Sequence, residues 1–120
     1  MKSILLANIF ISVVFAEYSS LESECITSSG VDKIKVDEAR EGIFAEDPKF
    51  KNFLKCILTE TGTINDDGTL KKTIIKANFE KNLVAQNAAL LCADIRGSDV
   101  DDTAFLNYKC FYEITKKFSS

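Results

Sequence analysis

Four cysteines, Cys25, Cys56, Cys92 and Cys110, are the residues of this 120-residue chain with the most interpretable chemistry. The intervals between them contain 30, 35 and 17 residues. A structural zinc site uses closely spaced ligand pairs, often with histidine, and the chain has neither feature. In a small exported protein, an even number of cysteines is typical of disulfides. The cysteines therefore predict two disulfides and no metal site, with all three pairings open on spacing alone.

Catalytic chemistry finds little support in the remaining residue types. Histidine, the commonest general base, is absent, which excludes nucleophile arrangements that pair serine or cysteine with it. Acidic pairs at residues 66–67 and 101–102 occupy a turn and a helix start, where solvated carboxylates are ordinary. The stretch TINDDG fails as a calcium loop, because Thr63 and Ile74 fall where acidic ligands are required. We therefore expect no catalytic residues, no metal and no cofactor.

The start of the chain has the features of a secretory signal peptide. Lys2 precedes an almost unbroken apolar run over residues 4–15, and small residues stand at positions 14 and 16. This run is too short for the bilayer core, which requires about 20 apolar residues. We expect residues 1–16 to be removed and residues 17–120 to form one secreted, extracellular domain without membrane insertion.

The charge distribution argues against nucleic acids and anionic membrane surfaces as partners. The chain has 15 basic and 18 acidic residues, a net charge of −3, and its basic residues are scattered. A phosphate-binding surface needs a basic patch or stripe. We therefore expect no nucleic-acid binding.

Almost every stretch between turn signals has the periodicity of a helix rather than a strand. Asp47 can cap the third helix, and Pro48 suits its first position because its missing N–H has no partner there. The sixth helix is apolar on more than one side, which predicts that it lies buried in the middle of the domain. The six predicted helices cover residues 18–27, 32–41, 47–59, 70–78, 80–93 and 101–117.

The cysteine spacing behind a signal peptide resembles the insect odorant-binding proteins, the pheromone-binding and general odorant-binding family. That family usually has six cysteines, and this chain has Asn52 and Asp101 in place of the second and fifth. It therefore looks like the minus-C subgroup, which lacks both together. The stretches SGVDKIKVDEAREGIFAEDPKFKNFLKC and GTINDDGTL also resemble the family's first three helices and the turn that follows.

The resemblance implies a fold, a pairing and a function. The fold is a compact all-α, six-helix domain around an internal hydrophobic cavity, with the pairs Cys25–Cys56 and Cys92–Cys110. The function is reversible carriage of a small apolar or volatile organic ligand, an odorant or pheromone, without enzymatic activity. We also expect that the protein partner, where there is one, is an olfactory receptor or another protein. The expected oligomeric state is a monomer or weak homodimer.

The apolar and aromatic residues of the later helices are the predicted pocket walls, with a few hydroxyls to orient a ligand. Tyr108 or Tyr112 is the expected hydrogen-bond partner for a ligand oxygen, and Phe118 is expected to close the cavity. The predicted ligand-binding residues are Phe53, Leu54, Ile57, Leu70, Ile74, Phe79, Leu83, Ala88, Phe105, Tyr108, Phe111, Tyr112 and Phe118.

Two other functions compete with the carrier. A secreted interaction protein, such as a venom, salivary or reproductive factor, could use the same fold with a filled core and an exposed apolar patch. A small secreted hydrolase that uses carboxylates is the more distant alternative, since histidine is absent.

The departures from the family's pattern have physical consequences. Losing one cysteine pair removes a cross-link between the third and sixth helices, and we expect Asn52 and Asp101 to face each other there. Histidine-based release of ligand in acid cannot operate in a chain without histidine.

We therefore expect ligand affinity to change little between about pH 7 and about pH 6, the range in which histidine titrates. Probe-binding titrations at the two pH values, with the protein shown to be folded at both, provide the measurement. A large loss of affinity over this range would contradict the expectation.

Overall fold

The structure, a computed structural model, describes the backbone of residues 20–119 and the side chains of residues 20–117. Within that range the chain forms helices and no strand, with one isolated antiparallel bridge between Ile64 and Leu70. The prediction of an all-α, six-helix domain is confirmed. The helices are α1 (residues 20–29), α2 (Lys33–Arg40), α3 (Pro48–Glu60), α4 (Lys72–Asn78), α5 (Leu83–Cys92) and α6 (Val100–Ser119).

The beginning of the chain lies outside this range, and with it the predicted signal peptide, residues 1–16. None of the helices in the described part of the chain is both long enough and apolar enough to cross a membrane.

Several helices begin or end at residues other than the predicted ones, because of the turns beside them. The first helix continues past Thr27 to Ser29, and the following Gly30, with a positive φ of 74°, reverses the chain. The fourth begins at Lys72, because Leu70 instead pairs with Ile64 across the turn.

Side-chain caps explain the starts of α5 and α6. Asn82 caps α5 by accepting a hydrogen bond from the Ala85 N–H at 3.1 Å, so the helix starts later than predicted. At α6, Asp99 accepts from the Asp102 N–H at 2.7 Å, and the helix starts at Val100, one residue before the acidic pair expected to start it.

The core forms where α6 packs against α3, and α5 covers another side of α6. Ala104 and Phe105 are almost fully buried, as the apolar pattern of α6 predicts. The ring of Phe105 meets Phe50 edge to face at 6.1 Å between centroids, and Phe50 stacks on Phe53 at 6.3 Å.

Two disulfides cross-link the helices. Cys25–Cys56 joins α1 to α3, and Cys92–Cys110 joins the end of α5 to the middle of α6. These are the two pairs that the family resemblance implied. Each cross-link restricts the unfolded chain and contributes about 3 kcal/mol on the chain-entropy account.

Polar contacts occupy the place of the missing third disulfide. The amide Nδ2 of Asn52 donates to Asp101 Oδ2 at 3.2 Å, joining α3 to α6 as expected. Beside it, Lys51 Nζ contacts Asp102 Oδ1 at 2.9 Å and Glu46 Oε1 at 3.0 Å. Hydrogen bonding to Asp102 and Glu46 raises the pKa of Lys51.

Replacing Asn52 and Asp101 together by cysteine should create a third disulfide, because their side chains already meet between α3 and α6. The bond closes a long loop and should stabilise the fold by about 2–4 kcal/mol, a rise in melting temperature on the order of 10 °C. Thiol titration and thermal unfolding measure both effects. The serine pair at the same positions is the control, and free thiols under oxidising conditions would contradict the prediction.

Asp102→Asn should lower stability at neutral pH and much less in acid. Hydrogen bonding to Lys51, then to the Ser98 N–H, lowers the pKa of Asp102 below its ordinary 3.8. A carboxyl with a lowered folded-state pKa stabilises the fold above its unfolded pKa and loses this contribution as pH falls through the folded value. The difference in free energy of unfolding should therefore be constant above about pH 5 and shrink below about pH 3.8.

Urea unfolding at a series of pH values tests this prediction. In a Lys51→Met background the effect of Asp102→Asn should be smaller and vary less with pH, because the cation that lowers the pKa of Asp102 is gone. A difference that stays unchanged from about pH 6 to about pH 2 would show that the ion pair contributes nothing to folding.

Candidate functional site

A cavity of about 270 Å³ lies between the helices, beside the packed core. All six helices of the described chain contribute to its walls, and the turn between α3 and α4 supplies two further residues. The lining residues are Glu22, Val36, Ala39, Arg40, Phe50, Phe53, Leu54, Ile57, Leu58, Thr63, Leu70, Ile75, Phe79, Ala89, Cys92, Ala104, Asn107, Tyr108 and Phe111.

Most of this lining is apolar, with a small set of polar side chains: Glu22, Arg40, Thr63, Asn107 and Tyr108. An apolar cavity with a few placed polar groups is the usual form of a small-molecule site. No titratable pair suited to acid–base catalysis lines the cavity, and no metal-binding cluster occurs among the described residues.

Seven of the predicted pocket residues line this cavity, and they come from α3, α6 and the segments around α4. They are Phe53, Leu54, Ile57, Leu70, Phe79, Tyr108 and Phe111. Their proximity is a fact of the structure, and their contact with a ligand stays a prediction.

Two predicted residues, Ile74 and Ala88, miss the cavity by a single position. The residues that follow them, Ile75 and Ala89, line it instead. Successive side chains on an α-helix point about 100° apart. Where two adjacent residues are both apolar, the sequence does not show which of them faces the cavity. Ala88 is buried and does not belong to the cavity lining.

Four further predicted residues have other surroundings. Leu83 is 64% exposed on the outside of α5, and Phe105 is part of the packed core. Tyr112 lies outside the cavity, on the wall of a neighbouring groove. Phe118 belongs to the last turn of α6, and its side chain lies outside the described part of the structure.

Close packing around Phe44 orients the two tyrosines. Phe44 meets the rings of Tyr108 and Tyr112 edge to face, with centroid distances of 5.7 and 5.3 Å. Gly42, at φ +90°, leaves the space for Tyr112, since a Cβ there would approach the tyrosine ring and hydroxyl to 2.9 Å. Tyr108 is thus turned to the cavity and Tyr112 to the outside.

Charged residues stand at one side of the cavity. Arg40 forms an ion pair with Glu22, which joins α2 to α1, and a second with Asp37 at 3.1 Å. The guanidinium is therefore paired with two carboxylates at the edge of the apolar walls.

An open groove lies next to the cavity and shares part of its wall. The shared residues are Arg40, Phe79 and Phe111. The rings of Phe79 and Phe111 pack against each other, with centroids 5.6 Å apart, and each lines both the cavity and the groove.

Sequence reasoning missed the two buried polar residues of the site, Thr63 and Asn107. Asn107 carried a detectable signal, because it follows Ala104 by three positions and precedes Phe111 by four. A polar residue inside the apolar stripe of a buried helix is informative. Thr63, in a turn, carried no comparable signal.

Comparison with known proteins agrees with this architecture. The sequence profile of the PBP/GOBP family matches residues 13–114 of the chain. No curated protein sequence gives a significant match.

Several solved structures share the fold. The chain is similar to a fatty acid binding protein, OBP56a, from the oral disk of the blowfly Phormia regina, with a TM-score of 0.68, 24% identity, and coverage of 85% of this chain and 91% of the other. It is also similar to the odorant-binding protein lmigOBP1 of Locusta migratoria, with a TM-score of 0.71 and 21% identity. That match covers 82% of this chain and 79% of the other. A third similar structure is the odorant-binding protein dmelOBP28a of Drosophila melanogaster, with a TM-score of 0.68 and 19% identity. That match covers 88% of this chain and 95% of the other.

At these identities the structural neighbours show the fold, and the profile match carries the assignment. The family consists of small-ligand carriers that are typically secreted. Four cysteines in two disulfides agree with its minus-C subtype. A profile match over most of the chain, on a six-helix fold with these two cross-links, means that the chain belongs to the PBP/GOBP family of insect odorant-binding proteins.

Proposed function

We propose that this protein reversibly binds small hydrophobic molecules in the cavity and carries them through aqueous fluid outside the cell. Odorants, pheromones and similar semiochemicals are the ligand classes. The observation that carries the proposal is the cavity of about 270 Å³, walled mainly by apolar side chains. Reversible carriage requires no chemical step, in keeping with a site that offers no catalytic pair.

The size of the cavity supports ligands of about ten heavy atoms. An apolar cavity of about 150 Å³ takes one benzene molecule, and this cavity has nearly twice that volume. Micromolar affinity corresponds to about 8 kcal/mol, or about 0.8 kcal/mol per heavy atom for such a ligand. This value lies below the ceiling of about 1.5 kcal/mol per atom for small ligands, so the affinity is physically attainable.

The alternative, an interaction protein with a filled core, is not favoured, because the space between the helices is open. The blowfly protein with the same fold is named a fatty acid binding protein, which supports apolar chains as one ligand shape. Secretion of this chain, an olfactory receptor as partner, and a monomer or weak homodimer remain predictions.

Displacement of a fluorescent apolar probe from the refolded, disulfide-bonded protein tests the proposal. We expect saturable binding with a micromolar Kd, and displacement by volatile alcohols, esters or aromatics. The protein contains no tryptophan, so its own fluorescence background is low. A correctly folded protein that does not bind the probe, or that binds it but does not release it to any competitor, would contradict the carrier function.

A matched pair of tryptophan substitutions connects binding to this cavity. Leu70→Trp fills part of the cavity and should weaken binding about tenfold, because its ring occupies ligand space. Leu83→Trp makes the same change on the exposed face of α5 and should leave affinity within about twofold. Equal effects of the two substitutions would show that ligands bind elsewhere.

A further inference from the structure

Asn107 is a buried polar residue in an otherwise apolar part of the cavity wall. It lies in the first half of α6, is 7% exposed, and has Ala104, Tyr108 and Phe111 as neighbours along the lining face. Burial of an amide without hydrogen bonds is costly, so the partners of its nitrogen and its oxygen show what the residue can still bind.

The nitrogen of this amide is fully committed to the protein. Nδ2 donates to the Ile95 carbonyl at 3.1 Å and to the Thr103 carbonyl at 3.0 Å, which uses both of its protons. Both partners can only accept, so the hydrogen-bond network itself fixes which end of the amide carries the oxygen. Asn107 therefore has no donor left for a ligand.

The oxygen of the same amide is available to the cavity. No donor among the described residues reaches Asn107 Oδ1, and every fully enclosed side-chain polar atom in that part of the chain has a partner. Oδ1 is therefore not fully enclosed, and the open space beside Asn107 is the cavity that it lines. The site presents an acceptor with unused capacity among apolar walls.

The second buried polar residue of the lining, Thr63, has a hydroxyl partner. Its hydroxyl lies 2.8 Å from the Thr61 hydroxyl, which can also donate to the Ile57 carbonyl at 2.9 Å. Either hydroxyl can be the donor in this pair, so the pair does not fix what Thr63 offers to a ligand. Asn107 Oδ1 is thus the buried acceptor that the hydrogen-bond network assigns.

We infer that this cavity selects ligands that carry a hydrogen-bond donor, alcohols above all, over ethers, ketones and esters of the same size, with Asn107 Oδ1 as the acceptor. The inference rests on the proposed carrier function and names the ligand class of the same site. An alcohol donates a hydrogen bond to the buried oxygen of Asn107. An ether or carbonyl oxygen can only accept, so it leaves that oxygen without a partner.

Two isomers, octanol and heptyl methyl ether, isolate the donor because they contain the same atoms. Competition against the fluorescent probe on the disulfide-bonded wild-type protein should show octanol binding about fivefold more tightly. Equal affinities, or tighter binding of the ether, would overturn the inference and leave the carrier function intact. If neither isomer displaces the probe, the carrier function fails and the inference fails with it.

Two variants locate the acceptor. Asn107→Leu should reduce the octanol preference to within about twofold. Tyr108→Phe removes another hydroxyl of the lining and tests the competing assignment, in which the preference depends on that hydroxyl. A preference that survives Asn107→Leu but disappears in Tyr108→Phe would overturn the assignment to Asn107.

Asn107→Leu also removes the hydrogen bonds to the Ile95 and Thr103 carbonyls, so a measurement on the wild-type protein complements it. The side-chain amide resonance of Asn107 should shift on addition of octanol and much less with the ether. Equal shifts with both isomers would count against a donated hydrogen bond at this residue.

Discussion

The burial of α6 against α3, with α5 on another side, is the constraint on which the rest of the structure depends. A helix that is apolar on more than one side must be covered by several neighbours. α3 supplies the aromatic contact through Phe50, while α5 is fixed to α6 by Cys92–Cys110. With α6 held in this way, Tyr108 and Phe111 on the same helix line the cavity.

The open space has a structural cost that the cross-links help to offset. Empty volume forfeits dispersion contacts along its walls, and a domain of this size has little core to spare. Several walls end in small side chains, Ala39, Ala89 and Ala104, which keep the helices near one another without filling the space between them. The disulfides destabilise the unfolded chain and so allow a fold that leaves part of its interior unpacked.

The fold was predictable from the sequence because its signals are local and repeated. Helical periodicity, the Asp47–Pro48 start of α3 and the cysteine spacing each led to a feature that the structure contains. The capping residues Asn82 and Asp99 were missed, since several polar residues near each boundary could have served as the cap.

The site was less predictable, because core and cavity walls use the same residue types. Phe105 and Phe111 lie on one helix and have similar chemistry, yet the first is packed and the second faces the cavity. The difference depends on how neighbouring helices approach, which no single helix encodes. For Leu83, the apolar pattern was read as burial although the side chain projects outward.

The wall that Phe79 and Phe111 share between the cavity and the groove has a kinetic consequence. Equilibrium affinity depends on all the contacts around a bound molecule, whereas the rate of escape depends on the thinnest barrier around it. Two packed rings can move by side-chain rotation without displacing a helix. Under the proposed carrier function, residence time would therefore depend on these two rings, whereas affinity would depend on the whole lining.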